Sequence, residues 1–353
     1  MRESRFEPDY THLLDAARNR EPRRLPLYDH SIAYSTMEKI LGRSFADGIN
    51  GKGAELDEFF ENLALFYRTM GYDVIVFEAL ISDVMPGNGC LGRHCESTIR
   101  DRADFERYPW EAIPEYFRQK YEGILDALSR HMPAGMKAIG GAGNGVFECV
   151  QDVIGFTNLC YIRVDDPELY ADLFRKVGET NRKIWEWVIA RYSDTFCVFR
   201  FGDDLGFKSA TLLPAEDVRT HIIPQYVPII ERVHAAGKPF LLHSCGCIFD
   251  VMEDLIAAGI DAKHSNEDVI APFSVWVERY GDRIGNFGGA DVDAVCGLSR
   301  PELKEYITGV LDACRGHGGV AFGTGNSVPD YMPVESYLSM NEIAREYRGD
   351  YAR

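Results

Sequence analysis

The sequence predicts an α/β protein built as a single (β/α)8 TIM barrel with an N-terminal helical extension. Eight short apolar runs alternate with amphipathic stretches, which is the pattern of parallel strands connected by helices. The length of 353 residues is typical of one such barrel, and no linker-like stretch divides the chain. We therefore expect one domain over residues 1–353.

Residues 1–20 are expected to form a helical lead-in, because Tyr10, Leu13 and Ala17 keep helical spacing. Eight strands follow, of which the second is rich in β-branched residues and the fourth in aromatic residues. They are predicted at residues 24–29, 73–78, 137–144, 196–204, 238–245, 260–265, 283–291 and 319–326. Helices are predicted at residues 56–70, 113–132, 146–164, 167–192, 214–236, 248–258, 273–280, 301–315 and 333–347.

Two local signals support these boundaries. Asp166 followed by Pro167 is a typical helix start, and Ser299 is placed to cap the helix over residues 301–315. A long loop over residues 79–110 separates the second strand from the next helix. Loops of this length in compact domains are usually functional, so we expect this one to cover the barrel mouth.

Composition excludes several classes of protein. The net charge of −17 argues against nucleic acid or an anionic membrane as the main partner. No apolar stretch approaches the roughly 18 residues that a membrane span needs, and the first residues do not resemble a signal peptide. Nine cysteines, most of them single within apolar runs, indicate a reducing, cytoplasmic setting rather than a disulfide scaffold.

The fifth predicted strand carries the clearest chemical signal. His243 and Cys245 are two residues apart at its carboxyl end, so their side chains leave the same face. A nitrogen and a sulfur donor side by side suit a borderline-soft metal such as zinc. Two donors are too few for a complete site, and a cysteine packed as a small hydrophobe remains the alternative.

The carboxyl ends of all strands meet at one mouth in such a barrel. Acids, amides and metal donors converge there: Asp29, His30, Glu78, Asn144, Asp203, Asp204, His243, Cys245, Glu267, Asp291 and Asn326. Structural roles are open for some of them, since Asp291 could cap a helix and Asn326 could bond a turn. Cys90 and Cys95 in the long loop have no partner pair at zinc-finger spacing, which favours packing over metal binding.

Four segments resemble the uroporphyrinogen decarboxylase superfamily. They are FGDDLG at 201–206, the stretch 233–246 ending in HSCG, YGDR at 280–283 with the glycine pair at 288–289, and GTGNSVP at 323–329 with 333–335. The resemblance covers residues 140–345 well and the N-terminal third loosely. It implies a (β/α)8 barrel and one of two chemistries: metal-free decarboxylation of uroporphyrinogen, or zinc-dependent methyl transfer linked to a corrinoid protein.

The motifs favour the second chemistry. The decarboxylases carry an arginine-rich motif after the first strand, where this chain has residues 29–34 without arginine, and an aspartate after the second strand, where it has Glu78. The methyltransferase branch uses a His-x-Cys pair that His243 and Cys245 match, and Glu267 lies where some members have a further ligand. A later cysteine ligand is replaced by Asn326, and Cys247 is an alternative donor.

The leading hypothesis is therefore a methyltransferase with Zn²⁺ held by His243, Cys245 and Glu267. It would move a methyl group between a thiol, methoxy compound or methylamine and a corrinoid carried by a small partner protein. Asp203, Asp204 and Glu78 are the catalytic candidates, and the substrate-binding candidates are Asn144, Asn326, Asp291 and His30. The alternatives are a metal-free carboxy-lyase and a non-catalytic ligand-binding barrel. A homodimer is left open.

Overall fold

A computed structural model describes residues 6–93 and 96–351. Seven parallel strands form one curled sheet in which every strand pairs with its neighbours along the chain, in the order β1 to β7. Their bounds are β1 (Val74–Leu80), β2 (Lys137–Gly143), β3 (Phe196–Gly202), β4 (Phe240–His243), β5 (Ala262–His264), β6 (Gly285–Ala290) and β7 (Val320–Thr324). These are the second to eighth strands that the sequence predicts, so the α/β class with sequential parallel strands is confirmed.

The first predicted strand is the exception. Residues 24–29 contribute only an isolated parallel bridge between Leu27 and Phe322 of β7. The Tyr28 N–H donates to the Phe322 carbonyl, and the Phe322 N–H donates to the carbonyl of Pro26. Pro26 has no N–H to extend this ladder, which fits its place at the end of the pairing. The eight-stranded barrel is therefore corrected to seven strands and one bridging segment within the described residues.

Helices cover the sheet between the strands. They are α1 (Thr11–Ala17), α2 (Tyr34–Leu41), α3 (Ala54–Thr69), α4 (Arg102–Arg107), α5 (Ile113–Arg130), α6 (Val146–Ile154), α7 (Phe156–Asp165), α8 (Pro167–Tyr192), α9 (Ala215–Asp217), α10 (Ile223–Ala235), α11 (Met252–Ala257), α12 (Phe273–Tyr280), α13 (Val292–Gly297), α14 (Arg300–Ala313) and α15 (Val334–Arg348). Short 3-10 turns occur at Ala46–Asn50, Ser82–Val84, Trp110–Ala112 and Phe249–Val251, and a π-helical turn at Val218–Ile222 precedes α10.

Local signals explain several helix boundaries. The Asp166 side chain accepts the Leu169 N–H at the start of α8, and Ser299 forms a capping box with Glu302 at α14, as predicted. The helix predicted over residues 146–164 is instead two helices, because Gly155 has a φ of 74° that breaks the helical path. Helix α2 lies in a segment for which no element was predicted.

The segment predicted as a long loop over residues 79–110 is partly ordered as strand, 3-10 turn and helix. It packs against α6: the N–H groups of Gly89 and Leu91 donate to the Asp152 carboxylate, and Thr98 N–H donates to the Val153 carbonyl. The packing role predicted for Cys95 concerns a residue that lies outside the described ranges.

The strands are buried on both faces, as expected for parallel strands beneath helices. All seven residues of β3 are buried, including one charged residue, Arg200. Strand β2 approaches β1 so closely that a Cβ at Gly140 would lie 1.8 Å from the carbonyl oxygen of Phe77. Within the described ranges, no helix has the length and apolar character to cross a membrane.

Candidate metal centre

Three side chains from neighbouring strands converge where β3 and β4 end. The Cys245 Sγ lies 3.4 Å from His243 Nε2, and Asp204 Oδ1 lies 3.5 Å from the same nitrogen. Gly246 makes the turn after them with a φ of 81°, and a Cβ there would meet the Gly206 backbone at 2.2 Å. The structure thus brings together His243, which ends β4, and Cys245, which lies in the turn after it, and it adds Asp204.

The donor atoms of this cluster differ in charge. Burial acts against ionisation of Asp204, but its interactions with the His243 ring and the Cys245 N–H outweigh burial and lower its pKa to about 2. Burial, followed by the Asp204 charge, raises the pKa of the Cys245 thiol well above its usual value. The carboxylate is therefore ionised and the thiol protonated, so a cation bound here has to displace the thiol proton.

Asn326 lies on the other side of Cys245. Its Nδ2 donates to the Cys245 Sγ at 3.2 Å, and its Oδ1 accepts the Ser327 N–H at 2.8 Å. The side chain thus orients the sulfur while bonding the turn after β7. This is the turn-bonding role that the sequence left open for Asn326, combined with a direct contact to the cluster.

Two further imidazoles pack around His243. The His30 ring stacks on it with centroids 3.6 Å apart, and His264 Nδ1 lies 2.7 Å from His243 Nδ1. Burial lowers the pKa of both His30 and His264 well below the usual value, so both rings are neutral. His30 was predicted from the sequence as a substrate contact, whereas His264 was not considered, although it ends β5 as His243 ends β4.

Glu78 is held by a buried arginine. Arg200 Nε donates to Glu78 Oε1 at 2.9 Å, and its second terminal nitrogen lies 2.8 Å from Glu78 Oε2. Arg200 also donates to the Tyr28 hydroxyl and the His30 carbonyl, both at 2.7 Å. Its charge is thus committed to Glu78 and to the segment beside β7. A charged residue within an otherwise apolar strand was the signal in the sequence for this role.

Asp203 faces the start of α6 rather than the cluster. Its carboxylate accepts the N–H groups of Phe147 at 3.0 Å and Glu148 at 2.8 Å, together with the Tyr226 hydroxyl. Burial raises its pKa to about 6. These bonds satisfy the first turn of α6 and join three elements, a structural role that accounts for the position of Asp203.

Glu148 is an acid that the sequence analysis missed. Asn144, in a left-handed conformation with a φ of 63°, donates from Nδ2 to Glu148 Oε2 at 2.9 Å. Burial, with the charges of Asp204 and Asp203 next, raises the pKa of Glu148 well above its usual value. The group is therefore a neutral carboxylic acid near the cluster. The sequence signal for this acid was its position in the first helical turn after β2, whose carboxyl end is rich in glycine.

Glu267 and Asp291 belong to neither group of side chains that could share a metal ion. Within residues 6–93 and 96–351, two trios of side chains place metal-binding atoms within 4.8 Å of one another: His30, His243 and His264, and Asp204, His243 and Cys245. Glu267 is in neither trio, and instead lines a cavity of about 530 Å³ together with Lys208, Asp291 and Asn326. Asp291 caps α13 by accepting the N–H groups of Asp293 and Ala294, the alternative role that the sequence left open.

The cluster fits a zinc ion by its chemistry. Imidazole nitrogen, thiolate sulfur and carboxylate oxygen are the three ligand types of zinc in proteins, and catalytic sites use three ligands with a fourth position open. The Asp204 side chain remains 42% exposed, so the site is accessible from the mouth. The carboxylate beside His243 and Cys245 is thus Asp204 rather than the predicted Glu267.

Comparisons with known proteins agree with this fold. The sequence model described as uroporphyrinogen decarboxylase (URO-D) matches residues 74–347. The comparison with curated proteins found no match to the chain. A methyltransferase from Methanosarcina mazei has a TM-score of 0.69 at 13% identity, with 97% of this chain and 99% of the other covered. Xylanase B from Clostridium stercorarium has a TM-score of 0.42 at 11% identity, covering 91% and 89%. The first likeness shows a shared fold.

Proposed function

Because this chain belongs to the uroporphyrinogen decarboxylase family, we propose that it is a zinc-dependent methyltransferase. It would move a methyl group between a small substrate, namely a thiol, methoxy compound or methylamine, and a corrinoid carried by a partner protein. The observation that carries this proposal is the cluster of His243 Nε2, Cys245 Sγ and Asp204 Oδ1 at the carboxyl ends of the strands. The Methanosarcina mazei relative is named a methyltransferase, which agrees with the proposal.

His243, Cys245 and Asp204 would hold the zinc ion. Bound there, zinc would supply Lewis acidity that activates the substrate heteroatom bearing or receiving the methyl group. Asn326 orients the Cys245 sulfur through its 3.2 Å hydrogen bond. Glu148, held neutral beside the cluster, would provide a proton to a leaving oxygen or nitrogen and retrieve it in the reverse direction.

The charge of the mouth bears on the choice of substrate. Glu148, Asp203, Asp204 and Glu78 lie close enough to influence one another, and the nearby Arg200 is paired with Glu78. An anionic substrate would meet the ionised Asp204 carboxylate, and the positive charge of Arg200 is already paired with Glu78. A neutral or cationic methyl compound suits the site better than a porphyrinogen with its many carboxylates.

Metal analysis of matched variants tests the site. The wild-type protein, reconstituted with zinc and desalted, is expected to retain about one equivalent, while Cys245→Ser and Asp204→Asn lose most of it. Cys247→Ser and Glu267→Gln are the matched controls, because each alters a nearby donor that the structure leaves outside the cluster. Retention below roughly a tenth of an equivalent in the wild type would refute the proposal.

Methyl transfer is tested separately. Free methylcobalamin is supplied as the methyl donor for thiols, and free cob(I)alamin, kept reduced by an added reductant, is supplied as the methyl acceptor for methanol and methylamines; the cobalamin absorbance is followed in each case. We expect turnover with one class of substrate in the zinc-loaded protein and none in Cys245→Ser. Bound zinc without transfer to or from any of these compounds would contradict the assigned reaction while leaving the metal site intact.

A further inference from the structure

The two buried imidazoles at the ends of β4 and β5 form a direct hydrogen bond. His243 Nδ1 and His264 Nδ1 are 2.7 Å apart, and the two residues are only 4% and 0% exposed. A hydrogen bond between two ring nitrogens requires one that carries hydrogen and one that is bare. The direction of this bond therefore decides which nitrogen of His243 is available to a metal.

The other nitrogen of His264 fixes that direction. His264 Nε2 lies 3.0 Å from the backbone carbonyl oxygen of Thr324. A carbonyl can only accept, so Nε2 carries the hydrogen. The partners of the ring are an imidazole and a carbonyl, neither of which is an anion that would hold a buried imidazolium. His264 is then neutral, its Nδ1 is bare, and the hydrogen between the rings belongs to His243 Nδ1.

We propose that His264 is a positioning residue that keeps the hydrogen of His243 on Nδ1 and thereby leaves Nε2 free to bind the metal. This inference rests on the metal site proposed above. His243 Nε2 is the nitrogen that faces Cys245 Sγ at 3.4 Å and Asp204 Oδ1 at 3.5 Å. Metal-binding histidines are commonly held by a partner on the other ring nitrogen, usually a carboxylate or carbonyl. Here a neutral imidazole takes that place.

The Thr324 backbone, whose carbonyl accepts the hydrogen of His264 Nε2, is held in place by Asp29. The Thr324 N–H and hydroxyl both donate to Asp29 Oδ1, at 2.8 and 2.6 Å, and the Tyr72 hydroxyl donates to Asp29 Oδ2. Asp29 and Thr324 are fully buried. The carbonyl that receives the His264 hydrogen is thus fixed in place, and the stacked His30 ring restricts rotation of His243. The geometry leaves His264 one orientation that satisfies both of its nitrogens.

Two substitutions of similar shape test this role with Zn²⁺ alone as the probe. His264→Leu removes the acceptor, and we expect Zn²⁺ affinity, measured by competition with a chromophoric chelator, to fall about 10- to 100-fold. His264→Asn retains an oxygen near the position of Nδ1, so affinity should stay within about threefold of the wild type. Equal affinity in His264→Leu and the wild type would overturn the inference.

Nuclear magnetic resonance gives a readout that does not depend on how the variants fold. In metal-free wild-type protein labelled with ¹⁵N-histidine, long-range proton–nitrogen correlations are expected to show hydrogen on His264 Nε2 and His243 Nδ1. Hydrogen on His264 Nδ1, or a His243 Nδ1 that carries no hydrogen, would overturn the proposal. Failure of the wild type to bind Zn²⁺ would instead refute the proposed function, which separates the two outcomes.

Discussion

Removal of the Glu78 charge tests how far the buried ion pair organises the barrel interior. In Glu78→Gln, Arg200 keeps its bonds to the Tyr28 hydroxyl and the His30 carbonyl but loses its only carboxylate partner among the described residues. The Arg200 side chain is 2% exposed and that of Glu78 is 12% exposed, so the arginine charge cannot regain water. Removing one partner of a buried ion pair costs about 3–5 kcal/mol of folding stability. The amide oxygen of the glutamine introduced at position 78 still accepts one hydrogen bond from Arg200, so we expect a cost at the lower end, about 3 kcal/mol.

That cost converts to a measurable shift. With about 2.1 cal/mol/K of unfolding entropy per residue, 3 kcal/mol lowers the melting temperature of a chain this long by about 4 °C. Circular dichroism during heating measures the shift, and Glu122→Gln is the control. Glu122 pairs with Arg118 at 3.4 Å with both side chains more than a third exposed, so its loss is expected to cost below about 1 kcal/mol. Equal shifts in the two variants would refute the reasoning.

Three further substitutions address single residues. Lys263 lies 3.6 Å above the Trp276 ring, and burial lowers its pKa to about 7. Because the unfolded chain keeps this proton to higher pH, the stability of the wild type should rise by up to about 4 kcal/mol relative to Lys263→Met between pH 7 and pH 10. The same dependence of melting temperature on pH in both proteins would contradict this expectation. Glu148→Gln should leave the melting temperature at pH 7 unchanged within about 1 °C, because a neutral amide replaces a neutral acid, and a drop of several degrees would show that Glu148 is ionised. Asp291→Ala should cost about 1–2 kcal/mol by uncapping α13, measured by urea denaturation, and no loss would show that the cap is dispensable.

The apolar runs along the chain were sufficient to predict most of the fold. Seven strands lie where apolar runs predict them, because buried parallel strands leave an unbroken apolar signature. Residues 24–29 carry the same signature, but Pro26 and the short segment allow only one bridge. The break at Gly155 was visible in the sequence only as a glycine, because its positive φ becomes apparent only in the structure.

The candidate site was predictable where its residues are close in the sequence. The proximity of His243 and Cys245, predicted from their spacing of two, is present in the structure, although β4 ends at His243 and Cys245 lies in the turn that follows. The contribution of Asp204 depends on the register between β3 and β4, in which Gly202 pairs with His243. Sequence spacing carries no information on that register. For the same reason the His264 contact and the neutral Glu148 became apparent only from the assembled sheet.

X-ray absorption at the zinc edge of the reconstituted wild-type protein tests the central claim most directly. The account predicts one Zn–S distance of about 2.3 Å from Cys245, with nitrogen and oxygen neighbours at about 2.0–2.2 Å from His243, Asp204 and solvent. Loss of the sulfur neighbour in the Cys245→Ser variant would identify Cys245 as its source. Bound zinc with no sulfur neighbour, or no retained zinc at all, would contradict the account.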